Sequence, residues 1–268
     1  MSHAKRFVIW AVGLALAAVP AAALSWAAGE GYIDRQTFDV TAVLPPAPLA
    51  GSDRYEMDRR VFHDTRFYEN TPRWALAVND YETDMAHMMA DFSCATDIVL
   101  TSETAPALAR LMTRAGNDTS AETSMAKQHF KRLRPFLIDQ GPICQPAGEV
   151  ENTYDYPSGH TTRGWTWAIL LAELMPDRAG EILARGRAFG QSRIVCGVHN
   201  ASAVEAGRIS ASATLAVMHG SPAFQADMIA ARQELMTLAA TGEKPDAGQC
   251  RAESTLVHMD LFNGAPAQ

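Results

Sequence analysis

Apolar residues along this 268-residue chain recur at spacings of three and four, and alternate for only a few positions at a time. That period belongs to helices rather than strands. A first helix is expected over 57–68, with Met57, Val61 and Phe62 at core spacing. A second is expected over 73–91, where Trp74, Leu76, Val78, Met85, Met88 and Met89 supply the apolar face. The methionines read as core filling, because an unbranched thioether packs irregular gaps. Thr104 caps a third helix over 105–115 with Pro106 in its first turn, and Gly116-Asn117 ends it. A fourth runs over 118–133 until Pro135 stops it.

Residues 136–156 carry Gly141-Pro142 and Pro146-Ala147-Gly148 and read as a long loop, either a lid or a connector pinned by a disulfide at Cys144. A helix should open at Ser158 or Gly159 and reach Met175; from Trp165 to Leu174 it is apolar on nearly all sides, so it belongs in the centre of the core. Asp177 caps a helix reaching Val195, Gly197 breaks it, and further helices follow over 199–218 and from Ser221-Pro222 to 240. The expectation is an all-α, single-domain helical bundle over 57–268, preceded by an irregular segment over 29–56 with loop signals at Pro45-Pro46-Ala47-Pro48.

The start of the chain departs from this pattern. Lys5 and Arg6 precede an apolar run over 7–19 and the small residues Ala21-Ala22-Ala23, the layout of a cleaved export signal over 1–28. The run is short for a bilayer span, and the remaining sequence has no apolar stretch of that length. The expected location is periplasmic or secreted, with no stable membrane span after processing. The four cysteines, Cys94, Cys144, Cys196 and Cys250, permit two disulfides in that compartment, and three pairings are open. The formal net charge is −7, a poor match for a nucleic-acid partner. A homo-oligomer is left open.

The few cations that matter cluster by motif. Lys127 and Arg134-Pro135 form K-x6-R-P, and on a continuous helix they would share one face, two turns apart. Lys131 and Arg132 between them read as a solvated basic face. Then come Pro157-Ser158-Gly159-His160, and Ser192-Arg193 with His199. Three cations, two histidines and a Ser-Gly helix start suit a tetrahedral phosphate: Arg forks onto its oxygens, helix-start N–H groups point at anions, and histidines attack or donate protons. The His, Cys, Asp and Glu residues show no metal-ligand spacing, so no metal and no cofactor are expected.

In this order and spacing the three motifs resemble the type-2 phosphatidic-acid phosphatase and vanadium haloperoxidase superfamily, and within it the bacterial class A non-specific acid phosphatases. Text around Thr71-Pro72-Arg73-Trp74, Asp91-Phe92-Ser93-Cys94 and Ala206-Gly207-Arg208 extends the resemblance over roughly residues 40 to 240. It implies an exported, metal-independent acid phosphatase for small phosphomonoester substrates, releasing inorganic phosphate through a phosphohistidine. By the same resemblance Lys127, Arg134, Ser158, Gly159 and Arg193 bind phosphate, His199 is the nucleophile, and His160 is the acid and then the base.

One position departs from the family pattern, which continues H-x3-D after the nucleophile. Here that position is Ala203; Glu205 falls on the wrong helix face, and Asn200 and Ser202 carry no charge. A carboxylate there would fix the His199 tautomer, so Ala203→Asp is expected at this stage to raise turnover. The alternatives are a catalytically impaired phosphate-binding homologue and, at greater distance, a vanadium-dependent haloperoxidase.

Overall fold

The computed structural model describes residues 30–34 and 37–262. The expected export signal lies outside the described residues. Among them the chain forms nine α-helices and no strand, an all-α architecture. Ser52 caps α1 (Asp53–Asp64), which therefore begins before the expected 57. The helix expected over 73–91 is two, α2 (Pro72–Asn79) and α3 (Met85–Thr96). Asp84 starts the second by accepting from the Ala86 and His87 amides, so the polar run between them is a corner. The two helices expected over 105–133 are one, α4 (Pro106–Phe130). Gly116 is buried inside it, and the burial of Leu111, Met112 and Ala115 beside it outweighs the weak local helix propensity of glycine. Lys131 ends α4 in a left-handed conformation, φ 48°. Arg134 then lies beyond the helix in extended backbone, and only Lys127 is on α4. The shared helix face expected for the two cations is thereby replaced by a helix end and a loop.

The later helices lie close to their expected bounds: α5 (Gly159–Leu174), α6 (Ala179–Val195), α7 (Ala201–Met218) and α8 (Pro222–Thr241). However, α6 is not capped by Asp177, which lies in a short 3-10 turn over Pro176–Arg178, and its start has no side-chain cap. A short α9 (Ala247–Val257), absent from the sequence reading, is tied to α3 by Cys94–Cys250. The second disulfide, Cys144–Cys196, pins the loop before α5 to the end of α6. The N-terminal segment straps across α4: the Tyr32 amide donates to Asp118 at 2.6 Å and the Val40 amide to Glu122 at 3.0 Å.

The central position expected for α5 is observed. Trp167, Ala168, Leu170 and Leu171 are buried, and Trp167 stacks on Phe92 of α3 with centroids 5.9 Å apart. The helix packs chiefly against α6 and α7, and glycines at the crossings set the spacing, Gly186 and Gly207 among them. A Cβ on Gly186 of α6 would lie 2.2 Å from the Ala168 Cβ. One on Gly207 of α7 would lie 2.7 Å from the Ser158 carbonyl oxygen, at the start of α5. The Ser158 amide donates to the Ala203 carbonyl at 2.9 Å, completing the junction of α5 and α7. This close approach brings the start of α5, the end of α6 and the start of α7 to one place.

Candidate functional site

All seven residues singled out in the sequence meet at that junction. Lys127 comes from the last turn of α4, Arg134 from the segment after it, and Ser158, Gly159 and His160 from the start of α5. Arg193 comes from the last turn of α6, and His199 from the turn before α7. Gly197 allows that turn with φ 77°, and Arg66 secures it by donating to the Ile194 and Val195 carbonyls at 2.7 and 2.9 Å.

Ser158 caps α5 by accepting from the Thr161 amide, while the Thr162 amide bonds the Ser158 carbonyl. The Gly159 and His160 amides are the first-turn donors that helix geometry leaves without an intrahelical acceptor. Arg193 is 1% exposed, and its Nη2 donates to Gln145. Its Nε and Nη1 find no partner among the described residues. A buried guanidinium with two unmatched nitrogens is costly unless an acceptor sits against it. Arg134 is anchored through Nε and Nη2 to Thr153 and through Nη1 to the Val198 carbonyl at 2.7 Å. That same Nη1 lies 3.0 Å from Nε2 of His199.

Arginine can only donate, so His199 Nε2 presents its lone pair there, and the ring proton resides on Nδ1. Nδ1 lies 2.9 Å from Oδ1 of Asp155, a residue absent from the sequence-derived set. The second histidine has the opposite tautomer. His160 Nε2 donates to the Tyr81 carbonyl at 2.9 Å, leaving Nδ1 unprotonated in the neutral ring. The Tyr81 ring stacks near it, centroids 6.3 Å apart. Tyr81 sits in the corner between α2 and α3, so the break missed in the sequence is what delivers this carbonyl.

Burial leads the electrostatics, and the neighbouring cations add to it. Burial pushes His199 well below the ordinary histidine range, and Arg134, Lys127 and Arg193 push it further. Burial, then Arg193, does the same to His160. Lys127 is also pulled down, by burial and then Arg134. Each shift has the sign expected of a site built to receive an anion.

A cleft of about 210 Å³ opens over Lys127, Gly159 and His160, lined also by Thr119, Thr123 and Arg163. A larger groove of about 990 Å³ runs between α2, α3 and α9. Its buried cation, Arg185, is committed to Asp80 at 2.6 Å, Asp91 at 3.2 Å and Glu253 at 2.7 Å, so it offers no comparable anion site.

Comparison with known proteins gives consistent matches. The PAP2 superfamily profile matches residues 107–225. An acid phosphatase of Zymomonas mobilis subsp. mobilis is 40% identical over 219 residues, 81% of this chain and 83% of the relative. A non-specific acid phosphatase of Providencia stuartii is 34% identical over 206 residues, 76% of this chain and 83% of its own. One of Salmonella typhimurium is 35% identical over 200 residues, 72% and 78% of the two chains.

Proposed function

This chain belongs to the PAP2 superfamily, and on that footing we propose that it is an exported acid phosphatase hydrolysing phosphomonoesters through a phosphohistidine. The observation that carries the reading is Arg193, buried with Nε and Nη1 unmatched, in a site where Arg134 meets the Nε2 lone pair of His199. Phosphate oxygens suit those unmatched charged donors. Lys127, Arg134 and the Gly159 and His160 amides surround the remaining oxygens, and the transferring group's charge is met by fixed donors.

In the first step His199 Nε2 attacks phosphorus and the bond to the alcohol oxygen breaks. Arg134 Nη1 moves its hydrogen bond from Nε2 to a phosphate oxygen as the lone pair is used. His160 protonates the departing oxygen through Nδ1, since its Nε2–H is held by Tyr81. In the second step Nδ1 takes a proton from water, the hydroxide oxygen attacks phosphorus, and the P–Nε2 bond breaks to release phosphate. The cleft above His160 receives the alcohol portion, and its volume favours small leaving groups.

Export agrees with the N-terminal sequence and with two disulfides, which persist in oxidising compartments. The direct test uses fractionated cells expressing the full chain. Phosphomonoesterase activity is expected in the periplasm or medium, on a chain beginning between residues 24 and 29, and undiminished by EDTA. Activity lost to EDTA and restored by a divalent metal would overturn the mechanism; an intact chain in the membrane fraction would overturn export.

The histidine shifts give a second expected result. Both rings are held neutral by burial and three nearby cations. A bound tetrahedral dianion offsets those cations, so histidine pKa values rise on binding; with sulfate, which does not itself titrate at mildly acidic pH, protons are taken up. Calorimetry of sulfate binding in two buffers of different ionisation heat measures this uptake. Proton release at that pH would contradict the assignment. For the same reason kcat/KM should fall as pH rises toward neutrality, because His160 must enter the first step protonated.

A further inference from the structure

Ala203 removes a carboxylate from the place where the family pattern puts one, but His199 still contacts a carboxylate. The Ala203 side chain is fully buried in an apolar cluster with Val40, Leu44, Ala126, Tyr156 and Ala206. We propose that Asp155, from the loop entering α5, is the positioning residue for His199 in this chain and replaces the carboxylate missing at position 203. This rests on His199 being the nucleophile, as proposed above.

Asp155 is fully buried. Its Oδ1 lies 2.9 Å from His199 Nδ1 and accepts from the Asn200 amide at 3.2 Å, and its Oδ2 accepts from Asn200 Nδ2 at 2.8 Å. Arg132 Nη1 lies 3.6 Å from Oδ2, and the Asp155 amide donates to the Arg132 carbonyl at 2.9 Å. Arg132 was read as part of a solvated face; it is buried, and it also donates to Ser202 at 2.6 Å and Asp58 at 2.8 Å. Burial works against the charge on Asp155, while Arg132 and Asn200 favour it. A buried carboxylate is a costly way to cap a helix start, since an uncharged acceptor would serve the Asn200 amide. Contact with Nδ1 gives the charge a use. It holds the proton on Nδ1, keeps Nε2 aimed at the cations, and stabilises the ring's positive charge once Nε2 carries the phosphoryl group.

The hydrogen bonds of the Asp155 carboxylate go to His199 and Asn200 rather than to a phosphate donor, although its charge also favours the charged forms of Lys127 and Arg134. Asp155→Asn keeps the size and one acceptor oxygen but removes the charge. In a serine-protease triad the equivalent change costs about 10⁴-fold. Here Arg134 still favours the correct tautomer from the Nε2 side, so the expected loss is smaller, about 10²-fold in kcat. KM and the inhibition constant of inorganic phosphate should stay within about threefold, whereas a merely structural defect would move binding and turnover together.

The experiment compares the parent, Asp155→Asn, Asn200→Ala, Ala203→Asp and His199→Ala by steady-state kinetics on a chromogenic phosphomonoester, with thermal melts. Ala203→Asp is expected to bring no gain, in contrast to the expectation from sequence alone, because it places a second carboxylate in an apolar cluster. If Asp155→Asn fails to fold, Asn200→Ala decides: it loosens one Asp155 oxygen and should lower kcat severalfold at unchanged phosphate inhibition. The inference is overturned if the deciding variant keeps the parent's kcat, or if Ala203→Asp raises kcat well above the parent, while His199→Ala is inactive. If His199→Ala itself remains active, the nucleophile assignment fails instead.

Discussion

His199→Ala is expected to lower kcat toward a chromogenic phosphomonoester by about 10⁴- to 10⁶-fold, the scale seen when a covalent nucleophile is deleted. The reason is geometric as well as chemical. His199 is 3% exposed in the turn between α6 and α7, held by Asp155 on one nitrogen and Arg134 on the other. Among the described residues no other imidazole is placed to take over, because His160 has its Nε2 committed to the Tyr81 carbonyl and Nδ1 assigned to the leaving group. Inorganic phosphate should still bind, since the arginines, Lys127 and the start of α5 remain. Rapid acid quenching with labelled substrate should trap a phosphoryl-enzyme in the parent and none in the variant. A variant retaining a hundredth or more of the parent's turnover, with label still trapped, would place the nucleophile elsewhere.

Arg193→Ala is expected to lower kcat by about 10²- to 10³-fold and to weaken phosphate binding as well, because its unmatched donors serve both the bound and the transferring group. The side chain enters from the last turn of α6 with only Nη2 paired, to Gln145. Lysine at this position should recover little, because a single ammonium cannot reproduce donors fixed on two nitrogens of a planar guanidinium. Truncating Arg134 is a less clean experiment: that side chain also fastens Thr153 and the Val198 carbonyl, so its loss frees the loop as well. Phosphate inhibition measured across pH separates binding from turnover. Parent-like inhibition by phosphate in Arg193→Ala would remove Arg193 from the phosphate site.

The helical class was legible because period and caps agreed over long stretches. Ser158 before an apolar helix and Ser221-Pro222 before another mark starts that the structure uses. The failures have physical causes. Gly116 and Asn117 look like a terminator, but tertiary burial carries α4 straight through them. The corner at 80–84 was hidden by an apolar pattern that continues in phase on both sides of it. Asp84 was its one local signal. In the site, the motif residues were legible as types and spacings. Their partners were not, since Tyr81 contributes a carbonyl, which any residue has, and Asp155 is a lone acid in a loop, where an exposed charge is unremarkable. Only its place directly before Tyr156-Pro157-Ser158 could have drawn notice. The pairing of Cys144 with Cys196 was likewise open until the loop was seen against α6.

The close crossing of α5, α6 and α7 has a consequence for anyone seeking to move this chemistry elsewhere. Copying the seven site residues onto another bundle would not copy the site. Its dimensions are written in residues that never approach phosphate: Gly186 with Ala168, and Gly207 against the Ser158 carbonyl. They fix how near the start of α5 lies to the turn carrying His199. A scaffold with ordinary interhelical distances would hold the same donors an ångström or more too far apart, a displacement large enough to lose most of their effect. The blueprint for this site is therefore as much a pattern of missing side-chain volume as a set of reactive groups.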